Sequence, residues 1–160
     1  MPKEVVLISA VSINGFIARH SHEVISWTKD LKLFKKQTMG HVVIVGLNTY
    51  KTLPSTLPGR TIIKIGRNSN PDKIIKSINS KRCFVIGGGK TFSKFAPYLT
   101  HLYITPHPYV FNGGVMLFET KVDEMKLIFK KHIVIDKKNG IFQFQYQIKK
   151  QWYVYFLFYL

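Results

Sequence analysis

The chain has 160 residues, 46% of them apolar, which suits one domain with a sizeable core and excludes a disordered segment. A net charge of +16, from 24 basic and 8 acidic residues, raises the question of nucleic acid, yet 20 of the cations are lysine, 4 are arginine, and no run exceeds two. That scatter describes a solvated basic surface, so nucleic acid is not expected as a partner, although the charge favours polyanionic ligands such as a dinucleotide.

No apolar stretch reaches the ~20 residues that a membrane span needs. The first residues, Met1-Pro2-Lys3-Glu4, run into a strand pattern with no leader signature. The single cysteine, Cys83, leaves no internal disulfide. A cytoplasmic protein is the expectation.

Val5 to Val11 is an apolar run of strand length, the pattern of a strand buried on both faces. Residues 12–27 contain Asn14-Gly15 and few periodic positions, which predicts a long loop. A helix is predicted over 28–38, capped by Thr28, with Leu31, Phe34 and Thr38 on one face. Val42 to Val45 is a second buried strand, followed by Gly46 and a short helix over 48–53. Residues 54–59 are rich in turn formers, and 61–65 make a third strand. Asn70-Pro71 opens a lysine-rich helix through Ile78, with Ile74, Ile75 and Ile78 as its apolar stripe. A fourth strand at 83–86 stops at Gly87-Gly88-Gly89, a helix follows over 91–98, and 102–105 is a fifth strand. Two long strands, 125–135 and 141–148, flank the hairpin turn Asp136-Lys137-Lys138-Asn139-Gly140.

Alternating strands and helices followed by a hairpin predict an α/β fold, a doubly wound and mostly parallel sheet with a C-terminal antiparallel β-hairpin. Nothing divides residues 1–150. The tail, 151–160 (QWYVYFLFYL), has nine aromatic or aliphatic residues in ten and no periodicity. It is expected to pack against the domain or to make a dimer contact, so the chain is expected to be a monomer or a tail-mediated dimer.

Among the eight carboxylates, Asp30 differs from the rest. It precedes Phe34 by four residues and so shares the core-facing stripe rather than the lysine-bearing face. A carboxylate there requires a partner and is a functional candidate, while an acidic residue favoured by the helix dipole is an equal reading. Val85-Ile86-Gly87-Gly88-Gly89-Lys90-Thr91 lets backbone approach a ligand closely, but lacks both P-loop and dinucleotide-fingerprint spacing. Six scattered histidines and one cysteine do not make a metal site, and no metal is expected.

Taken in order, these segments resemble the dihydrofolate reductase family over residues 4 to about 150. The likeness rests on Ala10-Val11-Ser12-Ile13-Asn14-Gly15-Phe16-Ile17-Ala18, on Trp27 with Asp30-Leu31, Phe34 and Thr38, and on Val43-Ile44-Val45-Gly46 with Thr49-Tyr50. It continues through Leu57-Pro58-Gly59-Arg60, Val85-Ile86-Gly87-Gly88-Gly89 and Leu102-Tyr103-Ile104-Thr105. The resemblance implies NADPH-dependent reduction of dihydrofolate to tetrahydrofolate, a step of one-carbon metabolism, by hydride transfer to pterin C6 with protonation of N5. It also implies roles. Asp30, Trp27 and Thr105 are the catalytic group, and Ile8, Leu31, Phe34, Leu53 and Arg60 bind substrate alongside Asp30 and Thr105. Ala10 and Ile17 contact the nicotinamide, and Gly46, Thr49, Gly88, Gly89, Lys90 and Thr91 line the phosphates. Leu47 stands where many members carry a basic residue, which leaves Arg67 to hold the cofactor's 2′-phosphate. Trp27 and Asp30 are also closer together than the family pattern. Two other readings share the sequence: a reductase of a ribosylated aminopyrimidine in riboflavin synthesis, and a non-catalytic basic protein that binds nucleic acid.

Overall fold

The computed structural model describes residues 1–150. The expectation for the tail, 151–160, lies outside the described residues. No helix among the described residues is long and apolar enough to cross a membrane.

The chain runs β1 (Glu4–Ser12), β2 (Phe16–Ala18), α1 (Leu31–Thr38), β3 (Val42–Gly46), α2 (Leu47–Thr52), β4 (Thr61–Ile65) and α3 (Pro71–Ser77). It continues with β5 (Arg82–Val85), α4 (Gly89–Phe95), a 3-10 turn (Ala96–Tyr98), β6 (His101–His107), β7 (Val115–Met116), β8 (Leu127–Asp136) and β9 (Ile141–Ile148). Seven strands form one sheet in the order β4-β3-β5-β1-β6-β9-β8. The first five are mutually parallel, and β9 runs antiparallel to both β6 and β8. This is the doubly wound sheet with a C-terminal antiparallel hairpin that the alternation predicts.

Both faces of the central strands are covered, which is why they read as unbroken apolar runs. On one face Leu7, Ile44, Val85 and Leu102 pack with Ile75 of α3 and with Phe92 and Phe95 of α4. Cys83 belongs to this layer, where burial pushes its thiol up to about 12 and leaves it an inert core residue. On the other face Val6, Ile8, Phe84 and Tyr103 pack against Phe34 of α1. The hairpin turn is closed by Asp136, which accepts the Asn139 backbone N–H at 3.2 Å and its side-chain amide at 2.6 Å. Gly140 takes φ +68, the left-handed value that the Asn-Gly signal anticipates.

Two sequence expectations need correction. The stretch 12–27 is not loop throughout, because β2 pairs antiparallel with β7. Strands of three and two residues are too short to show a period of two. The first helix starts at Leu31 rather than Thr28, with Asp30 at its N-cap. Just ahead of the helix, the His107 ring accepts the Lys29 N–H on Nε2 at 2.9 Å.

Candidate active site

A cleft of about 790 Å³ follows the carboxyl ends of β1, β3, β4 and β5, the place where open α/β sheets bind ligands. Ile8 and Ala10 of β1 and Ile17 of β2 line its middle. Leu31 and Phe34 of α1, with Leu53, form one end. Gly46 and Thr49, Gly88, Gly89, Lys90 and Thr91, and the loop carrying Arg67 form the other.

The Asp30 carboxyl lies at the α1 end of the cleft. Asp30 is only 7% exposed, whereas the adjacent Leu31 is 51% exposed and presents its side chain to the open cleft. Asp30 and Thr38 are buried and Phe34 is half-buried, which is the stripe of four-residue steps expected from the sequence. An N-cap aspartate ordinarily spends its carboxylate on the first helical N–H groups. Asp30 makes no such bond, so its acceptor capacity is directed elsewhere. Burial raises its pKa above the usual carboxylate range, while the Thr105 and Thr28 hydroxyls favour the charged form. Those two hydroxyls stand close enough to act on Asp30, yet neither completes a hydrogen bond of regular geometry. Buried hydroxyl groups with unspent capacity beside a buried carboxyl mark a place for a polar ligand.

At the far end the backbone is tightly fitted. The Gly46 N–H donates to the Gly87 carbonyl at 2.8 Å, and Gly87 and Gly88 are joined by a cis peptide. Gly87 sits at φ +123, and a Cβ on Gly88 would come within 2.8 Å of the Thr49 hydroxyl. Only glycine suits this turn. The first N–H groups of α4 have no partner within the helix, and Arg67 and Lys90 line the cleft without a carboxylate partner among the described residues. This chemistry fits the phosphates of a dinucleotide.

Three expected site residues stand differently. Thr105 is fully buried behind Asp30 and does not itself line the cleft. Trp27 is packed edge-on against His107, Tyr109 and Phe111, and its indole donates to Glu23 Oε1 at 3.2 Å, so it too is off the lining. Arg60 is also off the lining, with Nε donating to the Pro58 carbonyl at 3.1 Å and Nη1 to the Thr38 hydroxyl at 3.3 Å.

Sequence reasoning missed three contributors. The Glu23 carboxylate binds Arg19 through both backbone and side chain as well as the Trp27 indole, fixing the loop that borders the cleft. The Lys94 ammonium caps the carbonyls of Gly66, Arg67 and Ser69. His107 stands under Asp30. Thr105 and His107 share one strand face by the period of two, which is the signal in the sequence that pairs them.

The dihydrofolate reductase family model matches residues 4–150. The chain belongs to the dihydrofolate reductase family. Within that family it is 29% identical to the dihydrofolate reductase of Bacillus subtilis (strain 168) over 146 residues, which cover 82% of this chain and 86% of the relative. It is 30% identical to the dihydromethanopterin reductase of Methylorubrum extorquens over 100 residues, covering 62% of this chain and 74% of the relative. Its fold is similar to that of the Enterococcus faecalis dihydrofolate reductase complexed with NADP(H) and RAB-propyl, with a TM-score of 0.73 at 20% identity over 94% of this chain and 99% of that one. As a dihydrofolate reductase family member it is an NADPH-dependent oxidoreductase.

Proposed function

We propose that the chain reduces 7,8-dihydrofolate to 5,6,7,8-tetrahydrofolate. The observation that carries this reading is Asp30, a buried carboxyl at the substrate end of the cleft whose neighbouring Thr105 and Thr28 hydroxyls retain hydrogen-bonding capacity. A pterin presents an amino group beside a ring N–H, and a single carboxylate accepts from both in a charge-assisted pair. Ile8, Leu31, Phe34 and Leu53 supply apolar walls for the ring and the benzoyl group. The names of the relatives, dihydrofolate and dihydromethanopterin reductases, both concern reduced pterins.

NADPH, when bound, supplies the hydride that goes to pterin C6. Ala10 and Ile17 border the middle of the cleft, where they would flank the nicotinamide and exclude water. Gly46, Thr49, Gly88, Gly89, Lys90 and Thr91 would hold the phosphates, and Arg67 the 2′-phosphate. Asp30 orients the pterin, and its negative field raises the basicity of N5, which takes its proton from water. Catalysis then lies mainly in orientation and desolvation.

Arg60 would pair with the substrate's glutamate carboxylate. Its bonds to Pro58 and Thr38 use two of five N–H donors and hold the guanidinium still, leaving the outer edge available. A spectrophotometric assay of NADPH oxidation with dihydrofolate tests the assignment. Dihydrofolate-dependent oxidation supports it, and oxidation only with another substrate, or none, overturns it.

A further inference from the structure

His107, at the end of β6, has no exposed surface, and both of its ring nitrogens are engaged. Nε2 accepts the Lys29 backbone N–H at 2.9 Å. The proton therefore sits on Nδ1, which donates to the Thr105 carbonyl at 2.9 Å. One imidazole thus connects the residue immediately before Asp30 to the residue whose hydroxyl faces Asp30.

We propose that His107 is a positioning residue for the reaction, setting the place and direction of the Asp30 carboxyl relative to Thr105 and the cleft. The inference rests on the reading of Asp30 as the pterin-holding group. Its physical basis is a division of labour at the start of α1. The Asp30 side chain makes no cap bond to its own helix, so something else has to fix the helix entrance. His107 does so one residue earlier, through the Lys29 N–H, and the Asp30 carboxyl is left for ligand. An apolar residue would fill the same space but leave that part-buried N–H without its protein partner. The Trp27 indole, edge-on to His107 at 5.3 Å, holds the ring from its other side.

The titratable groups around His107 are few. Asp30 faces it from the N-cap of α1. Glu23 and Tyr109 stand behind Trp27, one bonded to the indole and the other packed on it. The Lys29 ammonium lies toward Asp136, on the hairpin.

The test uses the full chain carrying His107→Gln or His107→Asn. The Gln amide oxygen reaches the position of Nε2 and can accept the Lys29 N–H, whereas the shorter Asn side chain cannot. His107→Asn is expected to lower kcat with dihydrofolate by about 10²-fold, the effect of misplacing a catalytic group by roughly 1 Å, with NADPH affinity unchanged and with most of the turnover restored in His107→Gln. The chain has four aspartates, so carboxyl ¹³C NMR follows Asp30 directly. Its titration midpoint is expected to move in His107→Asn and to stay near the wild-type value in His107→Gln. Equal turnover and equal Asp30 titration in the two variants would overturn the proposal, as would equal losses that follow lowered melting temperatures in both. A wild-type chain inactive with dihydrofolate would instead count against the proposed function. The Asp30 titration would still decide the positioning role.

Discussion

The Lys94 ammonium donates to the Arg67 carbonyl at 2.8 Å, and through that bond a residue of α4 holds the loop that carries Arg67 along the cleft. Its further bonds to the Gly66 and Ser69 carbonyls, at 3.1 and 3.3 Å, close the loop around one cation. Lys94 therefore acts on the backbone, while the Arg67 guanidinium remains available to a ligand.

Arg67→Ala is expected to narrow the preference for NADPH over NADH while leaving NADH affinity nearly unchanged. A charge-assisted contact is worth about 1.5–3 kcal/mol, or roughly ten- to a hundredfold in affinity. Lys94→Met is expected to move selectivity in the same direction by a smaller factor, because the loop loses its anchor and keeps its guanidinium. Affinities for both cofactors, measured by fluorescence titration, check this pair. Unchanged selectivity in Arg67→Ala would remove Arg67 from the 2′-phosphate site.

Asp30→Asn is expected to lose about 10²–10⁴-fold in turnover at neutral pH, since an amide hydrogen-bonds but carries no negative field. The same variant is expected to melt at a higher temperature. The folded-state pKa of Asp30 is raised above its unfolded value, chiefly by burial. Its contribution to stability is therefore fully present below the unfolded value near 3.8 and is lost as pH rises through the folded one. At neutral pH the buried charge opposes folding, and a neutral amide relieves it. Wild type and variant should converge in melting temperature at low pH. A variant less stable than wild type at neutral pH would contradict this account of Asp30.

Arg60→Leu is expected to raise the Michaelis constant for dihydrofolate by at least about tenfold, the cost of one well-placed charge pair. A truncated pterin lacking the glutamate should be much less affected. The bonds of Arg60 to Pro58 and Thr38 define the rival, purely structural role. That role predicts equal losses on both substrates together with a lower melting temperature. Kinetic constants on both substrates, with a melt of each protein, separate the two.

The parts of the site that were legible in the sequence are those with strong local signals. The apolar runs of β1, β3 and β5, the Asn-Gly hairpin and the triple glycine each carry their conformation in a few adjacent residues. Asp30 stood out because four-residue spacing placed it on the buried stripe of α1. What escaped was long-range. The pairing of β2 with β7 joins residues about a hundred positions apart. The bond from Lys29 to His107 spans 78 positions, so no local pattern announces it, and α1 starts at Leu31 rather than Thr28. The position of Trp27, in the cluster with Tyr109 and Phe111 rather than on the cleft, was hidden for the same reason.

On the proposed function, the cleft between Asp30 and the glycine turn brings a dihydropterin together with NADPH. Steady-state oxidation of NADPH by the purified chain, with and without dihydrofolate and with tetrahydrofolate identified as product, tests it most directly. The account predicts oxidation that depends on dihydrofolate, yields one tetrahydrofolate per NADPH consumed, and falls by about two orders of magnitude or more in Asp30→Asn. A folded wild-type chain that binds NADPH and leaves dihydrofolate unreduced, or an Asp30→Asn variant with wild-type turnover, would contradict it.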